Sequence, residues 1–167
     1  MAESHPVDQS DEQLLAACEV QRLRRSGPGG QHRNKVETAV RIRHLPTSVL
    51  VEASERRSQA ENARVALSRL RLQLALSVRK PDRQLPSERW LRRLQGRRIS
   101  ISRKHVEFPA LLAEALDVLH LADFDFTNAA AQLGCTASQL TRFLKLEPQA
   151  LAMVNGQRAQ RGLRKMS

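Results

Sequence analysis

The hydrophobic pattern changes period several times along the chain, and each change marks an element. SDEQLLAACE opens with Ser10 and Gln13 three residues apart, the spacing of a capping box, and predicts a short helix over Asp11–Ala17. EVQRLRR (19–25) reads as a strand, and GPGG then breaks the chain. ETAVRIRHL (37–45) alternates Thr38, Val40 and Ile42 against Ala39, Arg41 and Arg43, which is a half-buried strand with a basic outer face. PTS turns, VLVEA (49–53) supplies a second strand, and the two predict a hairpin. Ser58 and Glu61 then form a capping-box pair at the head of the longest helical pattern, which runs to about Val78. Ala63, Leu67, Leu70, Leu74 and Val78 mark its apolar stripe, and Arg57, Arg64 and Arg71 a basic one.

Residues 79–104 hold two prolines and ten basic residues, so 81–104 reads as a basic linker with a short helix around Trp90. Trp90 has no aromatic neighbour in sequence and reads as a packing anchor. ISIS (99–102) is too short to assign. Beyond Phe108 the pattern turns helical. Pro109 suits a first helical turn, PALLAEALDVLHLA follows, and Pro148 starts a last helix. TNAAAQLGCTASQLTRFLKL (127–146) predicts helix, glycine break and helix. Ala130, Gly134 and Leu140 stand at helix-turn-helix offsets, and Thr136 and Gln139 at a capping-box spacing. The expected class is α+β: a small antiparallel sheet packed on a long helix, then an all-α region with a helix-turn-helix-like pair. The expected parts are an acidic segment with a short helix (1–18), the mixed domain (19–80), the basic linker (81–104) and the helical region (105–167).

Charge sharpens this division. Of 167 residues, 28 are Lys or Arg and 17 Asp or Glu, a net charge of +11. Residues 21–104 carry 22 of the basic side chains and six of the acids, while residues 105–167 carry six of each. So uneven a distribution is the footprint of a polyphosphate partner. Aromatic residues are only 3% of the chain, which argues against reading single strands by base stacking. Cys18 and Cys135 have no CxxC partner, so neither a zinc site nor a disulfide framework is expected, and a metal or other cofactor is not called for. No apolar run reaches a membrane-spanning length and the N-terminus does not read as a signal peptide; a cytoplasmic protein with no membrane partner is expected.

The chemistry concentrates in RRSGPGGQHRNK (24–35). It is neither GxxxxGK[ST] nor a GxGxxG between a strand and a helix, so it is not a nucleotide cradle. Ser26 and His32 lack an orienting carboxylate, so it is not a nucleophile triad. Gly29 and Gly30 open backbone conformations closed to other residues and allow close approach to a ligand. Gln31 offers a backbone N–H and a neutral amide, suited to donating to developing negative charge. Arg24, Arg25, Arg33 and Lys35 would hold phosphates nearby.

SGPGGQHRNKVETAVRIRHLPTSVLVEASERRSQAENARVALSRL resembles the catalytic domain of class I peptide chain release factors. The resemblance covers about residues 19–80 and rests on Gly29-Gly30-Gln31, Asn34-Lys35, the turn His44-Leu45-Pro46-Thr47, and Arg57-Ser58-Gln59 with Asn62. It implies a segment that enters the peptidyl transferase centre of the large ribosomal subunit and promotes hydrolysis of the P-site peptidyl-tRNA ester. Gly29, Gly30 and Gln31 would be catalytic, with the Gln31 N–H stabilising the tetrahedral transition state and the leaving 3′ oxygen. Gln31 would also be the target of a glutamine methyltransferase. Arg33, Asn34 and Lys35 would contact rRNA or tRNA, as Arg24, Arg25, Arg57, Arg64 and Arg71 would through charge and position. Full release factors carry further stop-codon-reading domains, so the chain is closer to compact, codon-independent ribosome rescue factors, expected to be monomeric off the ribosome. Those have basic tails, whereas residues 105–167 are neutral and read as folded. A non-catalytic ribosome- or RNA-binding factor acting through the helical region is the alternative. For the helix pair itself a structural or docking role is favoured over DNA reading, because only Arg142 and Lys145 are basic in its second helix.

Overall fold

The computed structural model of the chain describes residues 4–24 and 37–167. It divides into two compact units, with the boundary between Val78 and Arg79.

The first unit, from Ser4 to Val78, is a three-stranded antiparallel sheet with a long helix on one face. Helix α1 is Asp11–Ala16, and its predicted capping box is complete: Ser10 accepts from the Gln13 N–H and the Gln13 side chain accepts from the Ser10 N–H. Strands β1 (Cys18–Leu23), β2 (Ala39–His44) and β3 (Leu50–Ala53) follow in sheet order β1-β2-β3. The register pairs Val20 with Ile42 and Ile42 with Val51. Val40, Ile42, Val51 and Ala53 are buried against helix α2 (Gln59–Ser77), as the alternation predicts.

The buried row of α2 shares Leu70 and Leu74 with the predicted stripe but departs from it at the head of the helix. Asn62, Ala66, Leu70 and Leu74 are fully buried, while Ala63, Leu67 and Val78 are only half-buried. The row keeps a strict spacing of four along the sheet. It begins with a polar residue, and counting apolar positions passes over that residue.

Arg71 has a different task from Arg57 and Arg64. Its guanidinium donates to the carbonyls of Val7 (3.0 Å) and Gln9 (2.9 Å) and to the Asp11 carboxylate (2.6 Å). These bonds staple the N-terminal segment to α2. His5 completes that attachment: Nδ1 accepts from the Val7 N–H, which leaves Nε2 as the donor to the Val78 carbonyl.

The second unit runs from Arg79 to Ser167 and takes in the segment expected as a basic linker. It contains α3 (Glu88–Leu91), a two-stranded hairpin of β4 (Leu94–Gln95) and β5 (Arg98–Ile99), α4 (Phe108–Leu121), α5 (Phe126–Leu133), α6 (Ala137–Lys145) and α7 (Pro148–Gln160). Helix α4 is buried nearly all round, including Glu114 and Asp117. Those two acids attach the supposed linker. Asp117 accepts from Arg79, the Lys80 N–H and Arg83, and Glu114 accepts both the Ser87 N–H and hydroxyl. Trp90 is fully buried, edge-on to Phe143 at 5.4 Å, and donates its indole N–H to the Leu133 carbonyl. Charge pairs and one tryptophan hold this segment, so no apolar periodicity announced it.

The helix pair is built as the sequence suggests. Asp125 caps α5, Gly134 ends it in the left-handed region at φ +72°, and Thr136 caps α6 by accepting from the Gln139 N–H.

Candidate functional site

The glycine-rich chemistry lies between two paired strands. Leu23 ends β1 opposite Ala39, which begins β2, so residues 24 and 38 leave the sheet side by side. Gly29, Gly30 and Gln31, with Arg25, Arg33, Asn34 and Lys35, lie outside the described residues. What is described is how the two ends of that segment are held.

The departing end carries Arg24. Its guanidinium stands 3.6 Å from the Glu37 carboxylate, with both side chains more than half exposed. An exposed pair of this kind contributes at most about 1 kcal/mol. The returning end is held more firmly, by α2. Gln59 donates its amide to the Glu37 carbonyl at 2.8 Å, and Asn62 donates to the Thr38 carbonyl at 2.7 Å.

Asn62 does more than this one task. Its Nδ2 also donates to the Arg56 carbonyl (3.0 Å), and its Oδ1 accepts from the Arg56 N–H (2.9 Å). One buried amide therefore fixes the backbone entering α2 and the backbone entering β2. This gives the RSQxxN stretch a physical meaning. Ser58 caps the helix, and Gln59 and Asn62, three residues apart on one face, tie it to the neck of the glycine-rich segment.

The HLPT stretch is likewise structural. His44 is buried, its Nδ1 is 2.8 Å from the Thr47 hydroxyl, and its N–H donates to the Val49 carbonyl. Ser48 takes a positive φ of 59° to complete the turn from β2 to β3. Burial lowers the His44 pKa from its ordinary 6.5, so the ring is neutral at pH 7 and serves as a turn clamp.

The candidate phosphate contacts separate into two kinds. Arg57 and Arg64 are exposed, with no ion pair among the described residues. Arg71 is only 14% exposed and its guanidinium is occupied by the N-terminal segment. The open face of the sheet adds Arg41, paired with Glu52 at 3.0 Å, and Arg43. Both line a shallow depression with Glu19, Gln21 and Leu50.

Sequence reasoning quoted Gln59 and Asn62 as part of a motif but assigned them no task. The available signal was their polarity at the head of a helix whose following positions are apolar. Among the described residues no group of three or more His, Cys, Asp or Glu could hold a metal ion, and no helix is long and apolar enough to cross a membrane.

Comparison with known proteins supplies the family. Peptide chain release factor 1 of Xylella fastidiosa (strain 9a5c) is 46% identical over 80 residues, covering 48% of this chain and 22% of that protein. The chain thus spans less than a quarter of that relative's length. The family model described as the RF-1 domain matches residues 14–107. The matched stretch takes in β1 to β3, α2, the glycine-rich segment between β1 and β2, and the β4–β5 hairpin. With more than half of its residues matched, the chain belongs to the RF-1 domain family.

Proposed function

We propose that the protein hydrolyses the ester of peptidyl-tRNA on the ribosome and so frees stalled ribosomes without requiring a stop codon. The observation that carries this reading is a GGQ tripeptide inside a matched RF-1 domain, between strands whose return is tied to α2 by Gln59 and Asn62.

In this mechanism Gly29 and Gly30 allow the backbone to approach the ester closely. The Gln31 N–H donates a hydrogen bond to the oxyanion that forms when water attacks the ester carbonyl. The bond from the carbonyl carbon to the tRNA 3′ oxygen then breaks, and that oxygen departs with the proton water has lost. The Gln31 side chain places the water, and no ionisable base of this chain is required. Arg24, Arg25, Arg33, Asn34 and Lys35 hold neighbouring phosphates, with Arg57 contributing from just before α2 and Arg64 from α2. Arg71 takes the smallest part, since its guanidinium is engaged elsewhere. The side-chain amide of Gln31 is also the site we propose for N-methylation by a glutamine methyltransferase. A gain of one methyl mass on the Gln31 peptide from native cells would register it.

The test is peptide release from ribosomes halted at the end of a truncated message. Wild-type protein is expected to release peptide, and Gly30→Ala and Gln31→Ala variants to bind the same complexes with much reduced release. Equal release by wild type and both variants would sink the catalytic reading.

A further inference from the structure

The second unit assembles a basic face that no single stretch of sequence displays. In the β4–β5 hairpin Leu94 pairs with Ile99 and Gln95 with Arg98, leaving Gly96 and Arg97 as the turn. Gly96 has φ +59°, as a glycine in the first position of a tight hairpin turn requires. The hairpin lies against the turn between α5 and α6. Leu94 comes within 3.3 Å of where a Cβ on Gly134 would stand, and Arg97 donates to the Cys135 carbonyl at 3.2 Å.

From there residues 98–104 run along α6. Ile99 and Ile101 face Gln139, Arg142, Phe143 and Leu146 across a groove of about 100 Å³. Farther on, Arg103 reaches Glu147, just past the end of α6, at 2.7 Å. The two segments that bound the groove, its rims, both carry exposed polar side chains: Arg98, Ser100 and Lys104 on residues 98–104, and Ser138, Arg142 and Lys145, spaced four and three apart, on α6, of which Arg142 lines the groove itself.

The rims are free of negative charge. Residues 89–106 contain no Asp or Glu, and neither do residues 126–146. Of the acids that flank them, Glu107 pairs with Arg92 and Arg93, Glu147 pairs with Arg103, and Asp125 caps α5, while Glu88 stands exposed at the start of α3. Arg98, Lys104, Arg142 and Lys145 are exposed and have no ion pair among the described residues. Two cations on α6 make a weak footprint; with the strand beside it the count doubles.

We infer that this groove docks the phosphate backbone of double-helical RNA. Its rims offer four cations and serine hydroxyls, all suited to phosphate oxygens. A single strand is a poorer occupant. Trp90, Phe108 and Phe143 are all buried, so the groove has no aromatic platform on which bases would stack. The choice of RNA over DNA rests on the proposed ribosomal function; the groove's shape and charge do not depend on it.

The test uses the full chain and a labelled RNA duplex of about 16 base pairs, with binding followed by anisotropy from about 50 to 200 mM salt. Neutralising Z phosphates gives a slope of about −0.9Z in log K against log salt for B-DNA, taken here as the guide for duplex RNA. The variant R98A/K104A/R142A/K145A is expected to bind at least tenfold more weakly, with a slope shallower by about 3.6. R98A/K145A, which leaves the groove lining intact, is expected to lose about 2. R98K/R142K keeps the charges and is expected to bind as wild type. The duplex contains no ester, so Gln31→Ala is expected to bind it normally; this separates failure of the docking inference from failure of the catalytic reading. Unchanged slope and affinity in both alanine variants would overturn the inference. So would tighter binding to a DNA duplex of the same sequence.

Discussion

Replacing Asn62 with alanine tests how the glycine-rich segment is held. The side chain is fully buried and makes three hydrogen bonds at 2.7, 2.9 and 3.0 Å, all to backbone. Each is worth about 0.5–1.5 kcal/mol net, and a donor or acceptor left dry costs about 1–3 kcal/mol. Arg56 is exposed and Thr38 half-buried, so water can reach part of what is orphaned. That places the expected loss at about 2–3 kcal/mol, below the worst case. Asn62→Asp is the sharper control. It keeps the acceptor for the Arg56 N–H but sets carboxylate oxygen against the carbonyls of Thr38 and Arg56, so it is expected to destabilise at least as much as alanine. Urea unfolding followed by circular dichroism gives the free energies. Hydrogen exchange should rise in peptides covering 37–44 and 53–58. Release should fall in both variants, because the neck of the segment loses its buried tie. A loss below about 0.5 kcal/mol for alanine, or an aspartate variant as stable as wild type, would refute this account of Asn62.

Arg71→Ala should cost about 1–3 kcal/mol by freeing the N-terminal segment, and Arg71→Lys should recover little, since one ammonium cannot span the carbonyls of Val7 and Gln9 together with Asp11. Its effect on ribosome affinity, read by co-sedimentation, should be smaller than that of R57A/R64A. Gly134→Ala should cost about 1–2 kcal/mol in thermal unfolding, because φ is +72° and the new Cβ would press on Leu94 at 3.3 Å. His44 sets a pH dependence. Burial lowers its folded pKa from 6.5, so below about 6.5 the unfolded chain takes up a proton that the folded ring resists, and stability falls as pH falls through that window. Urea titrations at pH 7 and pH 5.5 should show this loss in wild type and a smaller one in His44→Asn.

What the sequence made legible follows the kind of force that holds each element. Alternation along 37–45 located β2 because one face of that strand is apolar and buried. The caps at Ser10, Ser58, Asp125 and Thr136 act within one turn, and the spacings at Ser10, Ser58 and Thr136 disclosed three of them. The heptad of Arg57, Arg64 and Arg71 suggested one basic stripe, but Arg57 precedes the Ser58 cap of α2 and Arg71 meets the N-terminal segment. The role of Asn62 was hidden for another reason: its partners are backbone groups 6 and 24 residues away, which leave no mark on side-chain pattern. Residues 81–104 read as a linker because a buried Asp117, a buried Glu114 and Trp90 attach them, and a sequence does not show which distant acid an arginine meets. The basic groove was invisible for the same reason, since its rims come from segments about forty residues apart. The GGQ tripeptide alone is a weak signal; Asn34-Lys35, the turn His44-Leu45-Pro46-Thr47 and Arg57-Ser58-Gln59 with Asn62, at their spacings, are what tie it to the family.

The central claim is tested most directly by removing the donor itself. On ribosomes halted on a truncated message, Gln31→Pro deletes the backbone N–H, whereas Gln31→Ala keeps it. The account predicts release by wild type, a loss of about 10²–10³-fold for Gln31→Pro and a smaller loss for Gln31→Ala, with all three bound equally. Release by Gln31→Pro at the wild-type rate, or no release by wild type bound to the same ribosomes, would contradict it.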